Sequence, residues 1–258
     1  MARRVSKRKR PSREEYVLKE QLKIEEGVFD NRTMLSLGKL FTHNVISRMH
    51  FLIARGKESD VYLAAPGSAI KDELVVVKIF RIETSSFDRR LDYIIGDPRF
   101  EKIKRGMYHI VNAWCKKEFG NLKLAEMAKV NAPKPYASFG NVLAMEFIGE
   151  NGVPAKNLKE TSLENPKKVF EEIIKNIKKL YNVDLVHADL SEYNILMKNE
   201  KPYIIDFGQA VVASHPKAME FLKRDISNIS MYFSKKYGID ADPESIFLSI
   251  TENNIGNK

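Results

Sequence analysis

Three polar side chains in the second half of the chain have the types and the spacing that transfer of a phosphoryl group requires. Asp189 and Asn194 lie in one segment, 187–194, and Asp206 begins the turn Asp206-Phe207-Gly208. Such a transfer needs a carboxylate that orients the acceptor hydroxyl and two oxygen ligands, on separate elements, that hold a metal ion against the phosphates. We predict that Asp189 orients the hydroxyl and that Asn194 and Asp206 bind the metal, as Mg²⁺ or Mn²⁺.

These side chains belong to two ordered motifs. The segment 187–194 reads H-x-D-x-x-x-x-N, and D-F-G follows it after one short apolar hairpin. The pair is typical of protein-kinase-like phosphotransferases and is more specific than either motif alone. His187, which opens the first motif, is interpreted as a scaffold residue that packs or hydrogen-bonds, without a direct catalytic role.

A lysine upstream could neutralise phosphate charge. Lys78 closes the apolar run 75–77, and a strand lysine there would reach the α- and β-phosphates of ATP. A helix carboxylate would hold it in place; Glu118 is the best candidate and Glu126 the weaker one. Taken alone, Lys78 could equally be an edge-strand lysine that discourages aggregation. The two downstream motifs favour the functional interpretation.

Further contacts to ATP are predicted in two segments. The loop 54–62 lies where a glycine-rich cover for the phosphates is expected, although Gly56 is its one glycine. A plain polar hairpin fits this loop equally well, but its backbone amides and one hydroxyl could approach the phosphates. Near residue 147, main-chain groups could bind the edge of adenine beside an apolar wall. The residues predicted to bind ATP are Lys57, Ser59, Val61, Lys78, Glu118, Met145, Glu146 and Ile148.

The elements that must position these groups divide the chain into a β-rich first half and a helical second half. Apolar runs predict strands over 49–54, 61–65, 74–80, 142–147, 193–197 and 202–206. Helical spacing extends from 14 to 40, and further helices are predicted over 107–129, 166–181, 216–235 and 243–251. The stretch 84–105 is polar and is expected to be a mobile loop, and 149–158 is expected to be a linker. This pattern indicates an α+β protein with two lobes.

We expect three regions along the chain. Residues 1–48 would form a basic tail and a helical extension, residues 49–148 the β-rich N-lobe, and residues 149–258 a reduced C-lobe. The 50 residues after Gly208 are too few for the usual large helical lobe. The fold expected is therefore that of protein kinases, with a reduced helical lobe that lacks the usual activation loop.

Charge and composition indicate the class of partner. The net charge is +9, and residues 1–13 contain seven Lys and Arg with no acidic residue. Such a block could bind RNA phosphates, while a solvated tail is the alternative interpretation. No apolar run approaches the roughly 20 residues that cross a bilayer, and no apolar signal region follows the basic N-terminus. We therefore expect a cytoplasmic protein without a membrane partner.

The sequence resembles the RIO family of atypical serine/threonine kinases, specifically its first subfamily. The resemblance covers roughly residues 45–235. It rests on Gly56 to Tyr62 as the shortened phosphate loop, on Val77 to Phe80, on Trp114 to Leu124, on His187 to Leu196, on Ile205 to Val211, and on His215-Pro216 leading into Phe221-Leu222. Ala188 stands where typical protein kinases have an arginine that pairs with a phosphorylated activation loop.

The resemblance implies three further properties. It implies phosphorylation of protein serine, with autophosphorylation near Thr84-Ser85-Ser86 as a hypothesis. It implies a part in maturing the small ribosomal subunit, with the subunit precursor, its rRNA and its proteins as partners. It also implies ATP hydrolysis through a phosphorylated aspartate in some members, and Asp206 is the residue that would carry it.

Two rival functions stay open at this level. One is a nucleotide-gated binding switch for pre-ribosomes, whose useful output is hydrolysis and release. The other is a small-molecule or tRNA-linked kinase of the same fold, which the loop 57–62 and the insertion at 84–105 argue against. Whether metal binding or nucleophilic attack is the role of Asp206 is also left open.

Overall fold

The computed structural model describes residues 29–82, 93, 97–100 and 106–252. Three predicted features lie wholly or mostly outside these residues: the basic stretch 1–13, the helical spacing from 14 to 28, and the loop 84–105. Within the described residues, no helix has both the length and the apolar composition needed to cross a membrane.

An antiparallel sheet forms the first half of the described chain. Its strands are β1 (Ile46–Arg55), β2 (Ser59–Pro66), β3 (Val75–Phe80), β4 (Pro135–Phe139) and β5 (Val142–Glu146). They pair in the order β1-β2-β3-β5-β4, which places β3 in the centre of the sheet. Every residue of β3 is buried, as expected for a β-branched run with both faces covered.

Two helices flank the sheet. The first, α1 (Asn31–Thr42), begins at Asp30, whose carboxylate accepts from the N–H groups of Arg32 at 2.8 Å and Thr33 at 3.0 Å. Such a cap satisfies two amides that have no partner inside the helix. The second, α2 (Met107–Met127), runs from Gly106 and packs against β4 and β5. Leu37 and Leu40 of α1 share an apolar cluster with alternate residues of β3.

The second half is mostly helical. It contains α3 (Pro166–Asn182), α4 (Ala218–Tyr237) and α5 (Pro243–Thr251), with short pairs β6 (Gly149–Glu150) with β7 (Val153–Pro154), β8 (Leu185–Val186) with β11 (Val211–Val212), and β9 (Ile195–Lys198) with β10 (Lys201–Ile204). Asn165 caps α3 and is followed by a proline at the first helical position, where its missing N–H is harmless. Gly238 ends α4 at a φ of 66°, the left-handed conformation that favours glycine.

The α+β fold with a sheet lobe and a helical lobe is confirmed. The predicted helices and longer strands are present with ends shifted by a few residues; for example, the helix predicted over 216–235 is 218–237. Strand β4 was not predicted, and the expected linker 149–158 contains the β6–β7 hairpin. The strand predicted over 202–206 ends at Ile204 because Asp206 has a φ of 65°, which extended backbone does not adopt.

Candidate functional site

Lys78 is held between two carboxylates. Its Nζ lies 2.8 Å and 2.9 Å from the two oxygens of Glu118 and 2.9 Å from Oδ1 of Asp206. Burial alone would lower the pKa of Lys78, but the negative charges of Asp206 and Glu118 outweigh it and raise that pKa above its ordinary value. Lys78 is therefore a cation with a fixed position, tied to α2 on one side and to the D-F-G turn on the other.

The alternation of β3 explains why Lys78 faces this way. Successive side chains of a strand point to opposite faces of the sheet. Val75, Val77 and Ile79 pack in the cluster that includes α1, whereas Val76 and Lys78 line a cleft on the other face. The weaker carboxylate candidate, Glu126, lies on the exposed side of α2.

The cleft has a volume of about 370 Å³ and lies between the sheet and the helical part. Apolar and charged groups line different parts of it. Its apolar lining includes Ile53, Val76, Leu122, Leu196 and Ile205. Its charged and polar lining includes Lys78, Glu118, Asn194 and Asp206. A concave site with an apolar wall and a few convergent polar groups is typical of a pocket for a small organic ligand.

Most residues predicted to bind ATP line this cleft. Ser59, Val61, Met145, Glu146 and Ile148 do so together with Lys78 and Glu118. Lys57 does not, and it is exposed. The reason is the turn between β1 and β2, in which the N–H of Gly56 donates to the carbonyl of Ser59 at 2.8 Å and leaves residue 57 at the tip.

Asp189 lies beside the cleft, next to the residues that line it. Its Oδ2 accepts a hydrogen bond from Nε2 of Gln209 at 3.1 Å and a long one from Nδ2 of Asn194 at 3.4 Å. The same Nδ2 donates to the Asp189 carbonyl at 2.8 Å. Burial, helped by the negative charge of Asp206, raises the pKa of Asp189 to about 6. Asp189 is thus an acceptor that is ionised at neutral pH.

Helix α4 fixes the loop that carries Asp189, an arrangement the sequence did not predict. The buried carboxylate of Asp225 accepts from the N–H of Ala188 at 2.8 Å and from the N–H of Leu190 at 2.9 Å. Burial raises the pKa of Asp225 to about 7, although both amides oppose that rise. Ala188 has a φ of 64°, which is rare without glycine, and these contacts hold it there.

Helix α2 holds the turn that follows Asp206, which was also not predicted. Lys117, fully buried, donates to the carbonyl of Gly208 at 3.0 Å and to that of Ala210. Asn121, one turn further along α2, donates to the carbonyls of Phe207 and Ala210 at 2.9 Å each. Residues four apart share a helix face, so both side chains reach the same turn. No sequence spacing signals such contacts, because they join side chains to carbonyls far along the chain.

The residues predicted to bind metal share one wall of the cleft. Asn194 commits its Nδ2 to Asp189, so its amide oxygen is the part available to a cation, and Asp206 adds a carboxylate whose side chain is 51% exposed. These are oxygen donors of the kind that Mg²⁺ prefers, and Mg²⁺ usually completes its shell with water and phosphate oxygens. Within the described part of the chain, no group of three or more His, Cys, Asp and Glu could hold a metal by itself. The residues present fit a metal that enters with a phosphorylated ligand.

His187, predicted to be a scaffold residue, and Cys115 are both buried. His187 is buried, its Nε2 lies 3.0 Å from the Ile205 carbonyl, and burial lowers its pKa to about 4. That is the geometry of a neutral scaffold histidine. Cys115 is fully buried in α2, and burial raises the pKa of its thiol to about 12, which is inconsistent with a reactive thiolate.

Comparison with known proteins points to one family. The profile of the RIO domain matches residues 60–246. The RIO-type serine/threonine-protein kinase Rio1 of Haloferax volcanii is 39% identical over 252 residues, which cover 96% of this chain and 86% of that protein. Its counterpart in Methanocaldococcus jannaschii is 39% identical over 233 residues, which cover 90% of this chain and 78% of that protein.

A solved structure shares the fold. The crystal structure of the Rio2 kinase–ADP/Mg²⁺–phosphoaspartate complex from Chaetomium thermophilum superposes with a TM-score of 0.66 and 22% sequence identity, over 89% of this chain and 70% of that one. At that identity the likeness concerns the fold.

Proposed function

The chain belongs to the RIO family of serine/threonine protein kinases, in its Rio1 branch, and we propose that it transfers the γ-phosphoryl group of ATP to serine hydroxyls of protein. One observation carries the proposal: Lys78, Glu118, Asn194 and Asp206 converge on one cleft with an apolar wall. The apolar wall suits adenine, and the charged end suits phosphates and a metal ion. We further propose that residues 49–148 and 149–258 are the two lobes that enclose the nucleotide.

Each charged group has a separate task in this mechanism. Lys78, fixed by Glu118, binds the α- and β-phosphates and neutralises their charge. Asp189 accepts a hydrogen bond from the serine hydroxyl and takes its proton as the serine oxygen bonds to the γ-phosphorus and the bond to ADP breaks. Asn194 and Asp206 are the residues that would hold Mg²⁺, which supplies positive charge against the phosphates.

A second output of the same site is ATP hydrolysis through a phosphorylated Asp206. The observation that favours it is that Asp206 is half-exposed to the cleft and lies 2.9 Å from Lys78, a cation suited to neutralising a carboxylate that attacks phosphorus. The Asp206 oxygen would bond to the γ-phosphorus, ADP would leave, and water would then release phosphate and restore the carboxylate. The neighbouring Rio2 structure contains a phosphoaspartate, which supports this as a proposal for the present chain.

The proposed substrate particle is the precursor of the small ribosomal subunit. The basic stretch 1–13, with seven Lys and Arg, supports contact with rRNA, because cations that neutralise RNA phosphates release counterions. The test measures the affinity of the protein for small-subunit rRNA at a series of salt concentrations. Affinity that falls steeply with salt for wild type, and less steeply for a variant in which these residues are replaced by Gln, would support this part of the proposal.

One experiment tests the enzymatic proposals together. Purified protein receives γ-labelled ATP in a single turnover, with and without small ribosomal subunits, and free phosphate and protein-bound label are followed separately. Asp189→Ala and Asp206→Ala are the matched controls. Label on serine that resists hydroxylamine indicates a kinase. Hydroxylamine-labile label, followed by free phosphate that rises with subunits, indicates an ATPase switch. Turnover that is equal in wild type and both variants would contradict the whole assignment.

A further inference from the structure

Gln209, the residue directly after the D-F-G turn, reaches the loop that carries the proposed acceptor-orienting carboxylate. Its Nε2 lies 3.1 Å from Oδ2 of Asp189. Only the amide nitrogen can donate to a carboxylate, so this contact also fixes which way the amide group points. It joins side chains that are 20 residues apart and connects the two motifs that the sequence singled out.

The backbone on both sides of this contact is fixed by other elements. On one side, Lys117 and Asn121 of α2 bind the carbonyls of the residues that flank Gln209. On the other side, Asp225 of α4 binds the amides that flank Asp189. Neither backbone segment can therefore move easily to compensate for a change in the side chains between them.

The contact also distinguishes the two oxygens of Asp189. Gln209 and Asn194 both donate to Oδ2, whereas within the described residues no side chain donates to Oδ1. A carboxylate rotates about its own Cβ–Cγ bond unless a donor fixes it, since this terminal torsion is broad. The hydrogen bond from Asn194 to Oδ2 is long at 3.4 Å, so Gln209 provides the shorter restraint.

We propose that Gln209 is a positioning residue, which holds Asp189 through Oδ2 and thereby presents Oδ1 to the acceptor hydroxyl. This inference rests on the proposed function, because it assumes that Asp189 orients the acceptor. It assigns no contact between Gln209 and the nucleotide, and Gln209 is absent from the lining of the cleft. Loss of the contact should therefore slow the chemical step and leave nucleotide binding unchanged.

Three substitutions separate hydrogen bonding from packing. Gln209→Met keeps the length of the side chain and removes the donor. Gln209→Glu keeps the shape and replaces the donor with a carboxylate that repels Asp189. Gln209→Lys restores a donor. The matched control is Tyr136→Phe, which removes a side-chain hydrogen bond to Asp72 at 2.6 Å, outside the cleft.

The assay measures single-turnover transfer of label from ATP to casein, a generic serine-containing acceptor. Free phosphate is counted separately, because the proposed hydrolysis through Asp206 does not involve Asp189. The dissociation constant of a fluorescent ATP analogue and the thermal midpoint are measured on the same preparations. We expect Gln209→Met to lower the turnover rate by about 10- to 100-fold, the range for a misplaced reacting group, with the dissociation constant within twofold of wild type. Gln209→Lys should recover most of that loss, and Gln209→Glu should be slower than Gln209→Met.

Two results would overturn the inference. One is wild-type turnover in Gln209→Met under conditions in which Asp189→Ala is inactive, since the carboxylate would then be positioned without Gln209. The other is an equal loss in the Met and Lys variants, which would show that packing and not donation matters. Wild-type turnover in Asp189→Ala would instead remove the proposed function itself, so the two failures are distinguishable.

Discussion

Lys117 allows a direct test of the contact between α2 and the D-F-G turn, because its ammonium group is fully buried. Burial lowers the pKa of Lys117 from 10.5 to about 7, despite the opposing charge of Asp97. In the unfolded chain the lysine regains its ordinary pKa. Between about pH 7 and pH 10.5 the unfolded state therefore binds more protons than the folded state, and the contribution of Lys117 to stability must rise with pH.

The magnitude follows from the size of this shift. One pKa unit corresponds to about 1.4 kcal/mol, so the contribution of Lys117 should change by up to about 5 kcal/mol across the whole interval. Lys117→Met removes the titrating group. It also leaves the Gly208 carbonyl without this donor, and that loss does not vary with pH. The difference in the free energy of unfolding between wild type and variant should therefore shift in favour of wild type as the pH rises.

The assay is urea unfolding of both proteins at a series of pH values from 6.5 to about 10. Other titrating groups are the same in both proteins, so they cancel in the difference. The exposed neighbour Lys116 provides the matched control, because Lys116→Met makes the same change on the exposed side of the same helix. The reasoning would be refuted if the difference in the free energy of unfolding between wild type and Lys117→Met did not change with pH, or if it changed in favour of the variant. Either result would mean that Lys117 is not a buried lysine that loses its charge at high pH.

Three further predictions concern the loops around Asp206. A Cβ on Gly208 would lie 2.8 Å from Nε1 of Trp114, so Gly208→Ala should lower the free energy of unfolding by about 1–3 kcal/mol. A Cβ on Gly120, which lies in α2, meets nothing within 4 Å, so the control Gly120→Ala should raise it by about 0.5–1 kcal/mol. Urea unfolding measures both changes. Asp225→Asn should lower the free energy of unfolding by about 1–3 kcal/mol, because the amide nitrogen cannot accept one of the two hydrogen bonds from the N–H groups of Ala188 and Leu190. No change in the same assay would contradict the role of Asp225 in holding this loop. Turnover should fall as the pH drops through about 6, the pKa of Asp189, and a pH profile that stays level down to 5 would argue against Asp189 as the acceptor-orienting group.

The sequence predicted the fold and several contacts of the candidate site where a motif or a periodic pattern specifies the residue types. Lys78 follows the apolar run 75–77 within β3, and Glu118 lies on the next helix. This order predicted a contact that the structure places at 2.8 Å. The two-lobed fold was predicted from the strand-length apolar runs of the first half and from amphipathic helices of the second half such as 166–181. These signals are local in the chain, so periodicity and motif order detect them.

The supports of the site were not predicted for a physical reason. Lys117 and Asn121 bind carbonyl groups about 90 residues away, and any residue type could supply a carbonyl. Gln209 was noticed only as part of a motif, since its contact with Asp189 depends on how two loops meet. Strand β4, Pro135–Phe139, lacks an alternating apolar pattern, and its pairing with β5 determines its conformation.

The contacts between α2 and the turn after Asp206 have a consequence for the discovery of inhibitors. A compound that binds by expelling Phe207 from its buried position would have to strip the carbonyls of Phe207, Gly208 and Ala210 from Lys117 and Asn121. Each buried acceptor left without a donor costs about 1–3 kcal/mol, and this cost is subtracted from the affinity of the compound. Compounds that leave the turn in place and pack against the apolar wall of the cleft avoid that loss. Screening collections for this protein should therefore favour scaffolds that do not displace the turn.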